Sequence, residues 1–478
     1  MIDLASTAHD TSADQHAARR AALACMVTLA VVLGIGRFAF TPLLPLMLHG
    51  STFGQPQIDI QHGGWLASFN YAGYFVGALT CAALRVAPAR MVRAGLVATV
   101  LLTLAMGVTG QFWLWAVVRF VAGAVSAWTF VFASQWGLRR LAELGAHGWS
   151  GVIYTGPGVG IVGTGLLVSA AGGYGATAGW LGFGLIAAIL SIVVWPVFGA
   201  GTGITSGGAQ LAASGSTNAA HASQRAAGQH SAAQHQSGQY AVRRYSAGRY
   251  AVNQPSTSPL SAAISSPSVG QSPATSHLSP PNPTPRPTDA FWLILLYGIP
   301  GFGYIITATF LPVIARHALP GSSWPDLFWP MFGAALVVGA LLAARLPVHW
   351  DNRTLLAGCY VLQAAGIALG IIWPTAGGFS FGSILIGLPF TAITLFAMRE
   401  ARRLRGDEAA GLMGYATAAY GVGQIVGPLV AAPIAEHTGS FSPALWLAAG
   451  ALLLGAVGLI IVAHMPRGRG RMPDCGCH

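Results

Sequence analysis

The chain has 478 residues, of which 54% are hydrophobic and only 8% are charged. An ordinary soluble domain carries about 25% charged residues, so this composition excludes a soluble enzyme. The formal net charge is +11, no Lys is present, and the five cysteines show no paired spacing typical of a disulfide framework. Where the charges lie along the chain is therefore more informative than their sum.

Apolar stretches of about 20 residues, the length that crosses a bilayer core as a helix, dominate the chain. In its first part we predict spans near residues 21–48, 63–84, 94–110, 112–138, 150–172 and 178–199. In its second part we predict spans near residues 290–314, 326–345, 354–373, 377–399, 409–435 and 441–464. The sequence thus predicts an all-α polytopic membrane protein with twelve transmembrane helices.

The Arg residues fall almost entirely on one side of these spans. If the N-terminus is cytoplasmic, only Arg316 lies in an outer connection. This asymmetry follows the positive-inside rule and places both termini in the cytoplasm, so the basic excess requires no nucleic-acid partner. The absence of Lys is typical of a GC-rich bacterial genome, and we therefore expect a multi-pass protein of the bacterial cytoplasmic (inner) membrane.

Residues 200–288 separate the two sets of spans. They are rich in Ser, Ala, Gly, Gln and Pro, contain no acidic residue, and cannot bury enough apolar surface to fold alone. The predicted organisation is a cytoplasmic tail (1–20), a six-helix bundle (21–199), a disordered cytoplasmic linker (200–288), a second six-helix bundle (289–465) and a cytoplasmic tail (466–478). Cys475, Cys477 and His478 end the chain, but their pattern predicts no metal site, and no cofactor is expected.

Short motifs recur between the two halves. Gly34-Ile35-Gly36-Arg37 is matched by Gly301-Phe302-Gly303-Tyr304, and the order of the other matches is the same in both halves. These others are Val76–Leu79 with Val338–Leu341, Arg139–Leu141 with Arg402–Leu404, and Gly158–Gly160 with Gly421–Gly423. The pattern predicts a duplicated six-helix unit, as found in secondary transporters whose site lies between two repeats.

The stretches "GIGRFAFTPLLPLM", "ASFNYAGYFVGAL" and "YGIPGFGYIITATFLP" are similar to the YbfB/YjiJ-type subgroup of the major facilitator superfamily. Residues 119–123 resemble the RxxxG element of this superfamily, and residues 156–158 and 423–428 resemble its Gly-Pro packing elements. The resemblance implies two six-helix bundles. The loop "RVAPARMVRAG" departs from the usual superfamily element because it lacks its Asp.

Two charged residues, Arg37 and Arg119, fall inside predicted spans, and Asn70 lies at a similar depth. An Arg at mid-membrane costs about 2.5–3.5 kcal/mol and is retained for a reason. Because a guanidinium forms a planar fork that suits carboxylate or phosphate, we predict that these three residues bind an anionic substrate. The alternative is that they bond helix carbonyls or gate the bundles without touching substrate.

In the second half, Tyr304 occupies the repeat position of Arg37, and we add Gln363, Tyr420 and Gln424 as uncharged substrate-binding candidates, although the same side chains also serve helix packing. No carboxylate lies mid-span; Glu400 and Glu436 at span ends are expected to form solvated pairs with neighbouring Arg residues. Residues expected to serve helix packing or gating are Gly36, Pro42, Pro45, Gly77, Gly123, Gly156, Pro157, Gly427 and Pro428.

These features predict a secondary active transporter that works by alternating access on a small organic anion or amphipathic metabolite. Drug or xenobiotic efflux is the alternative within transport, and a non-transporting membrane sensor or scaffold is the alternative from another class. The sequence contains no HExxH, GxSxG or phosphate-binding loop, so no enzyme is expected. The expected partners are a small-molecule substrate and the bilayer, and the coupling ion is left open.

Overall fold

A computed structural model describes residues 3–49, 58–199, 287–343, 345–347, 349–406 and 409–465, and they are helical apart from turns and short connections. The expected linker, apart from its last two residues, and the C-terminal tail beyond residue 465 lie outside the described residues. The helices of the first part are α1 (Asp3–Leu29), a π-helix (Ala30–Ile35), α2 (Phe40–His49), α3 (Ile60–Thr80), α4 (Pro88–Val108), α5 (Phe112–Glu143), α6 (Ser150–Ile153), α7 (Gly156–Ala171) and α8 (Gly175–Val194).

The second part begins at α9. Its helices are α9 (Pro287–Ala318), α10 (Pro325–Ala343), α11 (Asn352–Ile372), α12 (Ala376–Gly387), α13 (Phe390–Arg405), α14 (Ala409–Thr438) and α15 (Ser442–His464). Short 3-10 turns occupy Cys81–Ala83, His147–Trp149, Gly172–Tyr174 and Trp195–Phe198.

Within the described residues, eleven helical segments are long and apolar enough to cross a membrane. The remaining predicted span, near 63–84, is α3, whose 21 residues extend about 32 Å at 1.5 Å per residue. This helix is less apolar because it carries Gln61, His62 and Asn70. A helix therefore occupies the place of each of the twelve predicted spans, and the fold is an all-helical membrane fold.

Three of the predicted spans are not single helices. The first is interrupted over residues 36–39, the fifth between α6 and α7, and the tenth at Leu388–Pro389 between α12 and α13. Proline has no N–H to donate to a helix and marks two of these breaks, at Pro157 in the first turn of α7 and at Pro389 before α13. Helix α1 also begins at Asp3, so that it includes most of the expected tail 1–20.

The first bundle comprises α1–α8 and the second comprises α9–α15. Helix α3 packs on α5, α9 on α14, and α11 on α15, while α3 meets α14 and α7 meets α10 across the two bundles. At the α3–α5 contact a side chain on Gly73 or Gly77 would overlap the backbone of α5, and a side chain on Gly123 would overlap the Asn70 carbonyl. Small residues thus allow close helix approach, as expected in membrane bundles.

Two further predicted packing residues, Gly156 and Gly427, lie at similar contacts. Gly156 packs on the backbone of α1 at Met26, and Gly427 packs on Ile305 and Phe302 of α9. We call the end of the bundles that carries the connections near residues 109–111, 172–174, 319–324, 373–375 and 439–441 the distal end. The opposite end, where α4, α9 and α11 begin, is the terminal end.

Candidate functional site: a buried arginine between the bundles

Arg37 lies in the turn that interrupts the first span. The Gly36 N–H donates to the Val31 carbonyl and the Phe38 N–H donates to the Leu33 carbonyl, both at 2.9 Å and five residues back, which is the π-helical pattern. The Thr41 N–H then donates to the Phe38 carbonyl at 3.2 Å rather than to Arg37. The carbonyl of Arg37 therefore lacks the donor that a continuous α-helix would supply.

Arg119 on α5 replaces that donor. Its Nη1 and Nη2 atoms lie 3.4 and 3.5 Å from the Arg37 carbonyl oxygen, and its Nε atom lies 3.4 Å from the Leu66 carbonyl oxygen. Its guanidinium carbon also lies 4.5 Å from the ring centroid of Phe40. Arg119 is 2% exposed, and its contacts hold the broken helix against α3 and α5.

Asn70 supports the same contact from α3. Its Nδ2 donates to the Arg119 carbonyl oxygen at 2.8 Å, and the residue is fully buried. Arg37, Asn70 and Arg119 are therefore brought together, as their similar depth in the sequence predicts. For Asn70 and Arg119, however, the described hydrogen bonds are those of the helix-bonding alternative.

The guanidinium of Arg37 instead reaches the second bundle. Its Nη2 donates to Oε1 of Gln424 on α14 at 2.9 Å, and Nε2 of Gln424 donates to the hydroxyl of Tyr304 on α9. Arg37 and Tyr304 are equivalent positions of the sequence repeat. Gln424 thus connects the cation of one bundle to the phenol that replaces it in the other.

Aromatic rings enclose this connection. The Arg37 guanidinium carbon lies 4.1, 5.1 and 5.2 Å from the ring centroids of Tyr74, Tyr71 and Phe38. On the second bundle, Tyr304 stacks on Tyr420 with centroids 5.9 Å apart, and Tyr420 stacks on Tyr297 at 5.0 Å. We call Tyr297, Tyr420 and Tyr304 the tyrosine stack.

The electrostatics of Arg37 are unusual for a buried cation. Among the described residues neither Arg37 nor Arg119 forms an ion pair, and within that same part of the chain Arg37 Nε has no hydrogen-bond partner. Arg37 is only 6% exposed. Cation–π contacts of about 2 kcal/mol when desolvated offset part of the cost of burial, but the site keeps a positive charge and a free donor.

Hydrogen bonds between the bundles lie on the distal side of Arg37. Thr41 Oγ1 donates to the Ala308 carbonyl at 2.9 Å, and Ser68 Oγ donates to the Ile425 carbonyl at 2.9 Å. The hydroxyls of Tyr71 and Thr309 lie 3.0 Å apart. These contacts close the distal side of the interface in this structure.

Gln363, the remaining predicted binding residue, packs elsewhere. It is fully buried, and its Nε2 lies 3.5 Å from the Ile386 carbonyl oxygen on α12. A small cavity one turn away is lined within the second bundle by Thr307, Gly366, Phe379, Gly382 and Ser383, among others. Arg37 does not line this cavity, so the described cavity and the buried cation are separate features.

A buried ion-pair cluster at the terminal end was missed by the sequence prediction. Arg353 Nε lies 2.7 Å from Glu400 Oε1, Arg353 Nη2 lies 3.3 Å from Asp289 Oδ2, and Arg353 Nη1 donates to the Val462 carbonyl at 2.9 Å. Arg403 Nη2 also lies 2.9 Å from Glu400 Oε1. The signal was the Asp351-Asn352-Arg353 run, which supplies in the second half the Asp that the corresponding loop of the first half lacks.

Two expectations for the end carboxylates are corrected. Glu400 does pair with Arg residues but is 1% exposed, so its pair is buried rather than solvated. Glu436 is exposed and accepts a hydrogen bond from Gln61 across the two bundles, and it pairs with no Arg among the described residues. Both results depend on residues distant in sequence, which a local pattern does not reveal.

Two six-helix bundles that meet around buried polar residues define the class of major facilitator superfamily transporters. A profile of the family described as "Uncharacterised MFS-type transporter YbfB" matches residues 29–232 and 259–460. The chain belongs to this family, which confirms the resemblance predicted from the sequence. It is therefore an integral, multi-pass membrane protein.

Similar proteins are consistent with this assignment. The solved structure of a mutant of the nucleoside transporter NupG aligns with a TM-score of 0.59 at 11% identity, covering 92% of this chain and 99% of that chain, which shows the fold alone. A chloramphenicol resistance protein of Streptomyces lividans is 35% identical over 169 residues, which is 32% of this chain. That match spans only 38% of the length of the Streptomyces protein.

Proposed function

We propose that this protein is a secondary active transporter that moves a small organic anion or amphipathic metabolite by alternating access. The observation that carries the proposal is the guanidinium of Arg37, which is buried between the bundles without a carboxylate partner in the described structure. A free anion that binds there supplies the missing charge, and its aromatic surroundings suit an apolar body. Secondary transporters of this architecture place substrate at the interface between repeats.

Each site residue then has a part in the proposed cycle. Arg37 binds the anion, Tyr304 and Tyr420 offer neutral partners on the opposite bundle, and Gln424 occupies Arg37 until the anion binds. Arg119 and Asn70 position the broken helix by bonding its carbonyls, so they act on substrate through Arg37. Gln363 belongs to the interior of the second bundle and serves its packing.

The proposed orientation places the terminal end in the cytoplasm of a bacterial cell, with the protein in the inner membrane. It follows from the Arg distribution along the chain. In that orientation the distal contacts at Thr41, Ser68 and Tyr71 close the outer face. The expected cytoplasmic linker at 200–288 stays a prediction.

Efflux of drugs or xenobiotics is the second candidate function. It is favoured by the partial match to the chloramphenicol resistance protein of Streptomyces lividans. A site rich in aromatic rings also accepts neutral aromatic compounds. This candidate predicts that neutral compounds bind as well without Arg37 as with it.

Thermal unfolding of the purified protein tests the two candidates. Ligand that binds the native state raises apparent stability, by about 2.7 kcal/mol at 100 times its Kd. Small organic acids, neutral solutes and lipophilic cations are compared with wild type, Arg37→Ala and Arg316→Ala. The Arg316 variant is the matched control because it removes the same charge from a distal ion pair with Asp326.

We expect organic acids to stabilise wild type and Arg316→Ala but not Arg37→Ala. Uptake of a stabilising acid into vesicles that contain the protein then shows transport, and it is lost in the same variant. Stabilisation only by neutral solutes or cations, independent of Arg37, would refute anion transport and establish efflux as the better candidate.

A further inference from the structure

We propose that the substrate is an aromatic monocarboxylate and that the Gln424 amide occupies the position of its carboxylate in this structure. This inference rests on the proposed function, because it names the substrate class of the same site. Three observations carry it: the number of free cations, the arrangement of rings, and the geometry of the Gln424 amide.

The site offers one cation with a free hydrogen-bond donor among the described residues, Arg37. Arg119, the other arginine at this depth, directs all three of its guanidinium nitrogens to backbone carbonyl oxygens. The chain contains no Lys, and Arg353 is neutralised by Glu400 and Asp289 at the terminal end. A single carboxylate can therefore take the one free cationic donor of the described site, whereas the second carboxylate of a dianion would be buried without a free donor.

The rings around Arg37 favour a flat apolar body. Tyr74, Tyr71 and Phe38 surround the guanidinium on the first bundle. The tyrosine stack then continues from Tyr304 to Tyr420 and Tyr297 with interplanar angles of 21° and 25°. A ring attached to a carboxylate on Arg37 meets these faces. Stacking of this kind favours an aromatic over an aliphatic ring by about threefold to tenfold.

The Gln424 amide already makes the contact that a carboxylate would make. Its Oε1 accepts from Arg37 Nη2 at 2.9 Å, and its Nε2 donates to the Tyr304 hydroxyl. An incoming carboxylate takes the place of Oε1 and also reaches Arg37 Nε, which has no partner in the part of the chain that the structure describes, and this completes a bidentate pair. Release of Gln424 from Arg37 then separates the two bundles at this point.

This geometry predicts that in Gln424→Glu the new carboxylate pairs with Arg37 and blocks binding of a free anion. A carboxylate at residue 424 differs from the amide only in replacing the NH2 group by oxygen, and it faces a buried cation that has no ion-pair partner among the described residues. Gln363→Glu is the matched control, because Gln363 is equally buried but contacts the Ile386 carbonyl rather than a cation. Replacement of Gln by Glu is therefore tolerated at residue 424, which faces a cation, and unfavourable at residue 363, which does not.

The experiment measures binding of four probes to the purified full-length protein by thermal unfolding and titration calorimetry. The probes are benzoate, cyclohexanecarboxylate, phthalate and benzamide. We expect benzoate to bind about threefold to tenfold more tightly than cyclohexanecarboxylate, phthalate more weakly still, and benzamide weakly with no dependence on Arg37. Gln424→Glu should lose benzoate binding at an unchanged or raised melting temperature, whereas Gln363→Glu should lower the melting temperature.

Failure of this inference is distinguishable from failure of the proposed function. Equal or tighter binding of cyclohexanecarboxylate or phthalate, still dependent on Arg37, overturns the substrate class and leaves anion transport in place. Absence of any Arg37-dependent binding overturns both. Benzoate binding by Gln424→Glu at wild-type strength overturns the role given to Gln424. If that variant does not fold, Gln424→Ala decides, since removing the competing amide should tighten benzoate binding, and weaker binding refutes the proposal.

Discussion

Arg353→Ala tests whether the buried cluster at the terminal end holds the second bundle together. The substitution removes the 2.7 Å contact to Glu400, the 3.3 Å contact to Asp289 and the hydrogen bond to the Val462 carbonyl. These groups come from α13, α9 and α15, so one side chain joins three helices to α11. Glu400, which is 1% exposed, is left without its nearest cation.

Removing one partner of a buried ion pair costs about 3–5 kcal/mol because the other charge stays buried. Arg403 remains 2.9 Å from Glu400 and retains part of the compensation, so we expect about 3 kcal/mol, the lower end of that range. At about 2–4 °C per kcal/mol for a unit of 150–250 residues, the apparent melting temperature should fall by about 6–12 °C. The assay is thermal unfolding of the purified protein followed by intrinsic fluorescence.

Two further variants make the measurement specific. Arg316→Ala removes a distal ion pair whose side chains are 27% and 24% exposed, and pairs at such sites are worth at most about 1 kcal/mol. Arg353→Ala combined with Glu400→Gln removes both charges and should recover part of the lost stability, which a double-mutant cycle quantifies. A fall for Arg353→Ala no larger than that for Arg316→Ala would refute the reasoning.

Two other predictions concern packing and capping. Gly73→Ala should lower the melting temperature because its methyl group overlaps the Phe120 carbonyl. Gly163→Ala, whose methyl group meets no atom of the described residues within 4 Å, should leave the melting temperature unchanged or raise it; equal effects would contradict the packing argument. Asp59 caps α3 by accepting a hydrogen bond from the His62 N–H. Burial raises the pKa of Asp59, but the hydrogen bonds and charge of His62 outweigh burial, so the pKa of Asp59 is lowered overall. The cap therefore stabilises the fold above the ordinary Asp range, near pH 3.9, and is lost as pH falls through the lowered pKa. Wild type should exceed Asp59→Ala by about 1 kcal/mol at neutral pH and converge with it in acid, and a difference that persists or grows in acid would refute this.

Hydropathy and repetition predicted most of the fold because both can be read from the order of residues along the chain. Apolar length located the twelve helices, and the match of residues 34–37 with 301–304 located the duplication. The interruption at Gly36–Ala39 was not predicted. It accompanies two π-type hydrogen bonds, from the Gly36 and Phe38 N–H groups. Proline in a span does not by itself predict a break, because the continuous helices α9 and α14 also contain Pro.

The sequence predicted those candidate site residues that are charged and lie inside apolar spans. Arg37 and Arg119 are conspicuous inside apolar spans, but Arg353 was assigned to a loop and is buried nonetheless. Its repeat equivalent, Arg90, is exposed. The difference arises because Arg353 meets Asp289 and Glu400, and no spacing rule connects residues so far apart. Gln363 is the opposite case. Its helix was predicted, but the sequence did not show that its side chain faces the interior of the second bundle rather than the site.

The contact between Thr41 and Ala308 relates the repeat to the transport cycle. These residues are 267 positions apart, the same separation as Arg37 and Tyr304, so equivalent points of the two bundles meet near their pseudo-symmetry axis. A symmetric pair of bundles would place either two cations or two phenols at the next turn. This chain places one of each and joins them through Gln424. Because only the first bundle carries this charge, the proposed cycle moves an anion on Arg37 with that bundle, and the Arg37–Gln424 hydrogen bond is among those that must break when the bundles part.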